Sequence, residues 1–167
     1  MSKPTVQIRG DALEATLRGF DIDRRNKALF KAVEAGAKEL QALTVAQLKA
    51  DMGDSATRRG LKGRPKYADH SPMTEGVRLM RNKWYVESGV HIMGDFRLKW
   101  FERGTTERFT GGRKDKFGFY PGGMNASGYR GRIQGKGFFG KARTHEAQIA
   151  GAIEDKLGKE LSRLLKQ

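Results

Sequence analysis

The chain contains no cysteine. A disulfide-stapled scaffold and thiolate zinc sites are therefore excluded, and the absence suits a reducing compartment. Apolar residues are also scarce, at 37% against roughly 45–50% in a globular domain, a figure that also counts glycine. A modest core fits within 167 residues, but it cannot engage all of them, so some segments are solvated or packed on something else. No run approaches the ~18 apolar residues needed to span a bilayer, and Met1–Gly10 lacks the apolar centre of a signal peptide. Negative charge is the last shortage: 19 acidic residues face 33 basic ones, for a net charge of +14. Such a cation suits nucleic acid, anionic lipid or acidic protein as partner, and says little about fold.

The apolar pattern gives the order of elements. Thr5–Arg9 alternates as a short strand, and Asp11 can cap a short helix carrying Leu13 and Leu17. Capped by Asp21 or Asp23, a long amphipathic helix is expected over about Ile22–Asp51. Its stripe is Leu29, Val33, Ala37, Leu40, Leu43 and Leu48, with Gly36 beside it for close packing and Gly53 as the stop. Lys27, Lys31, Glu34 and Lys38 occupy the opposite face. Residues 53–72 read as a basic loop. From Met73 to Ile92, β-favouring residues (Val77, Leu79, Trp84–Val86) predict two antiparallel strands, turning at Asn82-Lys83. Phe96, Trp100 and Phe101 sit at helical spacing, which suggests one or two turns ended by Gly104, with a third strand as the alternative. The last helix starts at a Thr144 cap and carries Ile149, Ile153, Leu157, Leu161, Leu164 and Leu165.

Between the last two elements the composition changes. Residues 104–140 hold 11 of the 22 glycines, interleaved with Arg and Lys and with Phe109, Phe117, Phe119, Tyr120 and Tyr129. Ordinary connections run about 4–6 residues, so this stretch reads as a projecting hairpin arm or a loop ordered by a partner. The expectation is one domain over 1–167, of α+β class: a small antiparallel sheet packed by two amphipathic helices, with a long extended glycine-rich basic arm. The body covers about 5–104 and 138–166, and the arm about 105–137.

Motifs for chemistry are missing. Gly135-Lys-Gly137-Phe-Phe-Gly140 matches the string GxGxxG. A dinucleotide site also needs a buried strand before it and a second strand bearing an acid about 20 residues on. Only a helical tail follows here, so the string reads as a flexible turn with Phe138 and Phe139 plugging the core or a neighbour. His70, His91 and His145 have no ligand spacing: Ile149 stands where HExxH would need its second histidine. No nucleophile elbow, phosphate loop or carboxylate pair is visible. No catalytic, cofactor or metal residue is therefore assigned. The contact candidates are two basic runs, Arg58/Arg59/Lys62/Arg64/Lys66 and Arg113/Lys114/Lys116. They could meet DNA phosphates or an acidic protein surface.

Residues 100–105, Trp-Phe-Glu-Arg-Gly-Thr, resemble the aromatic-x-E-x-G-T signature of the tail-completion, or tail-terminator, proteins of long-tailed bacteriophages. The frame around them is similar too. A long helix comes first, then Pro72, Thr74 and Gly76 at the entry to the β region, and Gly137–Ala142 at the turn into the last helix. The segment from Thr106 to Lys136 is longer and more basic than in that pattern. The resemblance implies a non-enzymatic virion protein of the tail and neck, assembled in the host cytoplasm. It would form a homo-oligomeric ring, usually hexameric, that caps the tail tube protein and joins the tail to the head connector or stopper protein. It would touch packaged DNA only nonspecifically and no membrane. On that frame Trp100, Phe101 and Glu102 set the body's packing or a subunit contact. Phe117, Phe119, Tyr120, Tyr129, Phe138 and Phe139 contact a subunit or partner, and the basic runs face the DNA passage or acidic partners. The alternative is a basic nucleic-acid-binding module, ribosome- or nucleoid-associated.

Overall fold

The computed structural model describes residues 17–59, 71–92, 94–109, 113–115, 118–120 and 129–166, with backbone alone at 108–109, 113–115, 118–120 and 129–130. The strand expected at 5–9, and most of the helix expected after Asp11, lie outside the described residues.

Helix α1 spans Ile22–Met52. Of the two expected caps, Asp21 serves: its carboxylate accepts from the Asp23 N–H at 3.3 Å, and its carbonyl accepts from the Arg25 N–H. Gly53, at φ +53, ends the helix as expected, donating its N–H to the Lys49 carbonyl. The stretch expected to be a loop then opens with one helical turn, α2 (Asp54–Thr57), whose Ala56 is fully buried. A 3-10 turn at Met73–Gly76 follows, where β structure was expected. Its last residue must be bare, because a Cβ on Gly76 would lie 2.6 Å from the Asp95 Cβ.

Strands β1 (Arg78–Asn82) and β2 (Glu87–His91) pair antiparallel and stay in register from Arg78↔His91 to Asn82↔Glu87. The turn is therefore not Asn82-Lys83 but the four residues Lys83–Val86. Trp84 and Tyr85 sit in the turn rather than on a strand, because β preference reflects packing on a pleated surface and no described residue covers these rings. Helix α3 (Phe96–Arg103) ends at Gly104, as the spacing predicts. Two short antiparallel pairs follow, β3 (Arg108–Phe109) with β6 (Tyr129–Gly131), and, between them in sequence, β4 (Arg113–Asp115) with β5 (Gly118–Tyr120). Helix α4 (Phe138–Arg143) replaces the expected flexible turn. Helix α5 (Glu146–Leu164) is capped at His145, which makes no side-chain cap bond, rather than at Thr144. The class is α+β: mostly helix, with a small two-stranded antiparallel sheet packed on it. Among the described residues no helix is long and apolar enough to cross a membrane.

The chain forms two compact units. One draws on the chain up to Thr44, Arg78–His91 and everything from Ala142 on. Its core joins Ala32 of α1 to Ile153 and Leu157 of α5, with Leu29, Ile149 and Leu161 packed around them. Gly36 sets the spacing: a Cβ there would lie 2.5 Å from the Ile153 Cγ1. Ion pairs fasten the same helices. Lys31, placed on the polar face by its spacing, reaches the buried Glu160 at 2.8 Å. Arg81 of β1 reaches Glu34 at 2.8 Å. The other unit comprises Val45–Val77 and Ile92–Lys141. Among the described residues, Leu48, Met73, Val77, Leu98 and Phe138 are its buried apolar side chains, with Ala56. Each such large side chain contributes about 1.5–3 kcal/mol when fully buried.

Candidate functional site

The signature segment Trp100–Thr105 lies in the second unit, at the end of α3. Asp95 starts that helix, accepting from the Arg97 N–H at 2.8 Å. The Arg97 guanidinium grips the same carboxylate and donates to the Ser71 carbonyl at 2.6 Å, so this arginine, 4% exposed, is paired where it is buried. Arg97 was not among the residues singled out from sequence, because its partner across 26 positions leaves no local trace.

At its other end α3 becomes a clasp. The Phe101 carbonyl accepts from the Lys136 N–H at 2.7 Å, and the Glu102 carbonyl from the Gly137 N–H at 3.2 Å. The Thr105 N–H donates to the Ile133 carbonyl at 2.9 Å, and the Ile133 N–H donates back to the Thr105 hydroxyl at 3.0 Å. Gly104, at φ +80, lies against Gly135: a Cβ on either would come within 2.9 Å of the other's backbone nitrogen. The two ends of residues 106–132 are thereby held together. The Glu102 carboxylate completes the clasp, accepting from the N–H groups of Phe139 (2.9 Å) and Gly140 (3.1 Å) in the first turn of α4. A negative charge there satisfies two otherwise unpaired donors and suits the helix dipole.

The GxGxxG string thus has a structural use. Gly135 admits the Gly104 backbone, Gly137 turns at φ +62, and the N–H groups of residues 139 and 140 take Glu102. A carboxylate of the chain occupies the helix start where a dinucleotide fold would place a phosphate.

The assigned contact residues separate under this geometry. Phe138 is fully buried, which corrects its assignment to a partner contact: it is a core side chain. Phe101, Glu102 and Phe139 are half-buried at the clasp. Trp100 is 39% exposed and stacks edge-on against Phe96, their centroids 5.1 Å apart. Phe96, Lys99, Trp100 and Arg103 are all exposed along α3. Arg58 and Arg59 are exposed just after α2. Lys62, Arg64, Lys66, Lys116 and Phe117 lie outside the described residues. For Arg113, Lys114, Phe119, Tyr120 and Tyr129 only the backbone, in strands β4, β5 and β6, is described.

Three carboxylates are held below their usual range. The hydrogen bond from Lys141 does so for Asp51, and that from Lys31, aided by Lys156, does so for Glu160 against its burial. Burial would raise Glu34, but Lys38 and Arg81 outweigh it. All three serve ion pairs between or along helices and strands. Among the described residues no group of three or more His, Asp or Glu could hold a metal ion. His91 ends β2 and His145 precedes α5, both exposed. What the site can do chemically is to hold a chain excursion shut and present aromatic and cationic side chains beside it. No family model, no curated protein and no solved structure matches the chain.

Proposed function

We propose that the chain is a neck subunit of a long-tailed bacteriophage, a tail-completion or tail-terminator protein that forms a ring, caps the tail tube and joins it to the head connector. The clasp carries this reading. Glu102, Gly104 and Thr105, three of the four residues that match the aromatic-x-E-x-G-T signature, are among those that pin the ends of residues 106–132 together, with the Phe101 carbonyl beside them. The motif therefore has a physical purpose that suits assembly: it fixes the root of a glycine-rich basic arm that reaches a neighbouring subunit, the tube or the connector. A small subunit with such an arm gains burial by assembling. The exposed Phe96–Trp100 pair, with Lys99 and Arg103, offers an aromatic and cationic face for that contact. The role needs neither cofactor nor catalytic group, and the exposed Arg58 and Arg59 suit a DNA passage or an acidic partner.

Excising residues 108–134 and rejoining the ends with a short glycine linker tests the reading. The clasp's remaining bonds keep the root closed, so the variant should retain its helical circular dichroism while losing ring formation and tail joining. A variant that assembles as the intact chain does would refute the role given to the arm.

A further inference from the structure

Helix α3 carries an exposed face on which rings and cations alternate. Phe96, Lys99, Trp100 and Arg103 follow the spacing i, i+3, i+4, i+7, so all four lie on one side, and Arg97 and Leu98 are buried on the other. Phe96 is 52% exposed and Trp100 39%. Their rings meet edge-on, at 78°. An edge-on contact occupies at most one face of one ring, so among the described residues flat aromatic surface stays open beside the two cations.

The clasp adds cations at the end of the same helix. The Lys136 N–H bonds to the Phe101 carbonyl and Ile133 pairs with Thr105, which sets residues 132–136 alongside the helix end. Arg132 and Lys136 are both exposed there. Among the described residues none of Lys99, Arg103, Arg132 and Lys136 forms an ion pair. The Asp51 carboxylate, which Lys136 also attracts, is held by Lys141 at 2.8 Å. Of the acidic residues within 95–107, Asp95 holds Arg97 and Glu102 caps α4, which leaves Glu107 exposed. Four cations thus stand against one open carboxylate.

The excess extends over the whole unit. Residues 45–77 and 92–141 hold 17 Lys and Arg against 8 Asp and Glu, so about half of the chain carries +9 of its +14. A polyanion is the complement of such a surface, and the rings decide which one. Cations alone hold duplex phosphates without regard to the bases. Cations around open aromatic rings suit a single strand, because each unpaired base offers a π-face to stack and a phosphate on either side.

We propose that this face of α3, together with the clasp segment 132–136, binds single-stranded nucleic acid. A base stacks on Trp100 beside Phe96, and Lys99, Arg103, Arg132 and Lys136 take the flanking phosphates. The groups used are rings and cations, so binding depends little on base sequence. The clasp's hydrogen bonds hold the backbone of both segments in place before the strand arrives, which lowers the cost of ordering them. The inference goes beyond the ring reading and does not rest on it.

Trp84→Phe in the full chain leaves Trp100 as the one tryptophan, a direct reporter on this face. The variant is titrated with a short oligothymidylate, with a duplex of the same length and with polyglutamate, at several salt concentrations. Circular dichroism checks that each further variant is folded. The expected result is saturable quenching of Trp100 by oligothymidylate and weaker binding of the duplex. Arg103→Ala and Lys136→Ala should each reduce the log–log salt slope by about 0.7. Trp100→Ala, followed by the anisotropy of a labelled strand, should weaken binding about 5–150-fold, the range for one stacked base. Lys99→Glu should weaken it as well, whereas Lys159→Glu, the same charge change on α5, should have a much smaller effect. The quenching and the surface charge variants decide the matter even where Trp100→Ala fails to fold. Equal affinity for duplex and single strand without quenching would overturn the stacking and the choice of a single strand. Preference for polyglutamate would give the face to an acidic protein instead. A loss for Lys159→Glu as large as that for Lys99→Glu would reduce the binding to bulk charge and overturn the site. None of these results bears on ring formation.

Discussion

Gly104→Ala is the sharpest probe of the clasp. Gly104 sits at φ +80 and ψ −178, a region nearly reserved for glycine, so alanine there costs about 1–3 kcal/mol in backbone strain alone. Its Cβ would also stand 2.8 Å from the Gly135 nitrogen and 2.9 Å from the Ile133 oxygen. Both are backbone atoms, so relief means parting the two chain segments. That lengthens the Thr105–Ile133 and Phe101–Lys136 hydrogen bonds, each contributing about 0.5–1.5 kcal/mol. The sum is about 2–6 kcal/mol, a large share of the roughly 5–15 kcal/mol that keeps a domain folded. Two further variants divide it. Gly137→Ala carries strain without crowding, since φ is +62 and no described residue lies within 4 Å of its Cβ, and should lose about 1–3 kcal/mol. Gly135→Ala carries the crowding from the other side, and should lose about 1–3 kcal/mol through the same two bonds. Urea unfolding followed by circular dichroism measures all three. With a slope of about 1–3 kcal/mol per molar, Gly104→Ala should move the midpoint by at least about 0.7 M. If it costs no more than Gly137→Ala, the two backbones are not in contact and the clasp is misread.

Other predictions concern the first unit. Gly36→Ala should destabilise the chain, because the Ile153 side chain must yield to the new Cβ. Combined with Ile153→Ala the same change should turn stabilising by about 1 kcal/mol, the helix advantage of alanine over glycine, and denaturation of the four members of that cycle would show the change of sign. Glu160→Gln should cost about 1–3 kcal/mol at neutral pH, since it weakens the bond that Lys31 makes to a buried carboxylate. The folded-state pKa of Glu160 is depressed, so its contribution is present above the unfolded value, about 4.3, and is lost as pH falls through the depressed one. The stability gap between wild type and Glu160→Gln should therefore close on acidification below about pH 5. A gap that widens there would contradict the pairing.

Much of this fold could be read from period alone. Leu29, Val33 and their successors mark α1, and Phe96, Trp100 and Gly104 mark the extent of α3. The apolar run of α5 is equally plain, because repeated apolar spacing is a local signal. Local rules fail where a distant partner decides. Lys31 looks solvated until Glu160, 129 positions away, comes beside it. Helix α4 hides behind glycines, and its start is stabilised by Glu102, 37 positions before Phe139. Trp84 and Tyr85 look like strand residues, but the register of β1 and β2 pushes them into the turn. At the candidate site the sequence pointed to Trp100, Phe101 and Glu102, though not to what they do. Glu102 is a cap and Phe101 a backbone clasp, whereas Trp100 keeps an open face.

Under the proposed function this chain would end tail tubes and form a ring there. Electron microscopy of tail tubes, assembled from the matching tube protein with and without the purified chain, tests it most directly. The expected result is that the chain yields tubes of one length, each closed at one end by a ring of density, and that tubes made without it grow to mixed and greater lengths. Tubes of the same length distribution and bare ends in both samples would contradict it.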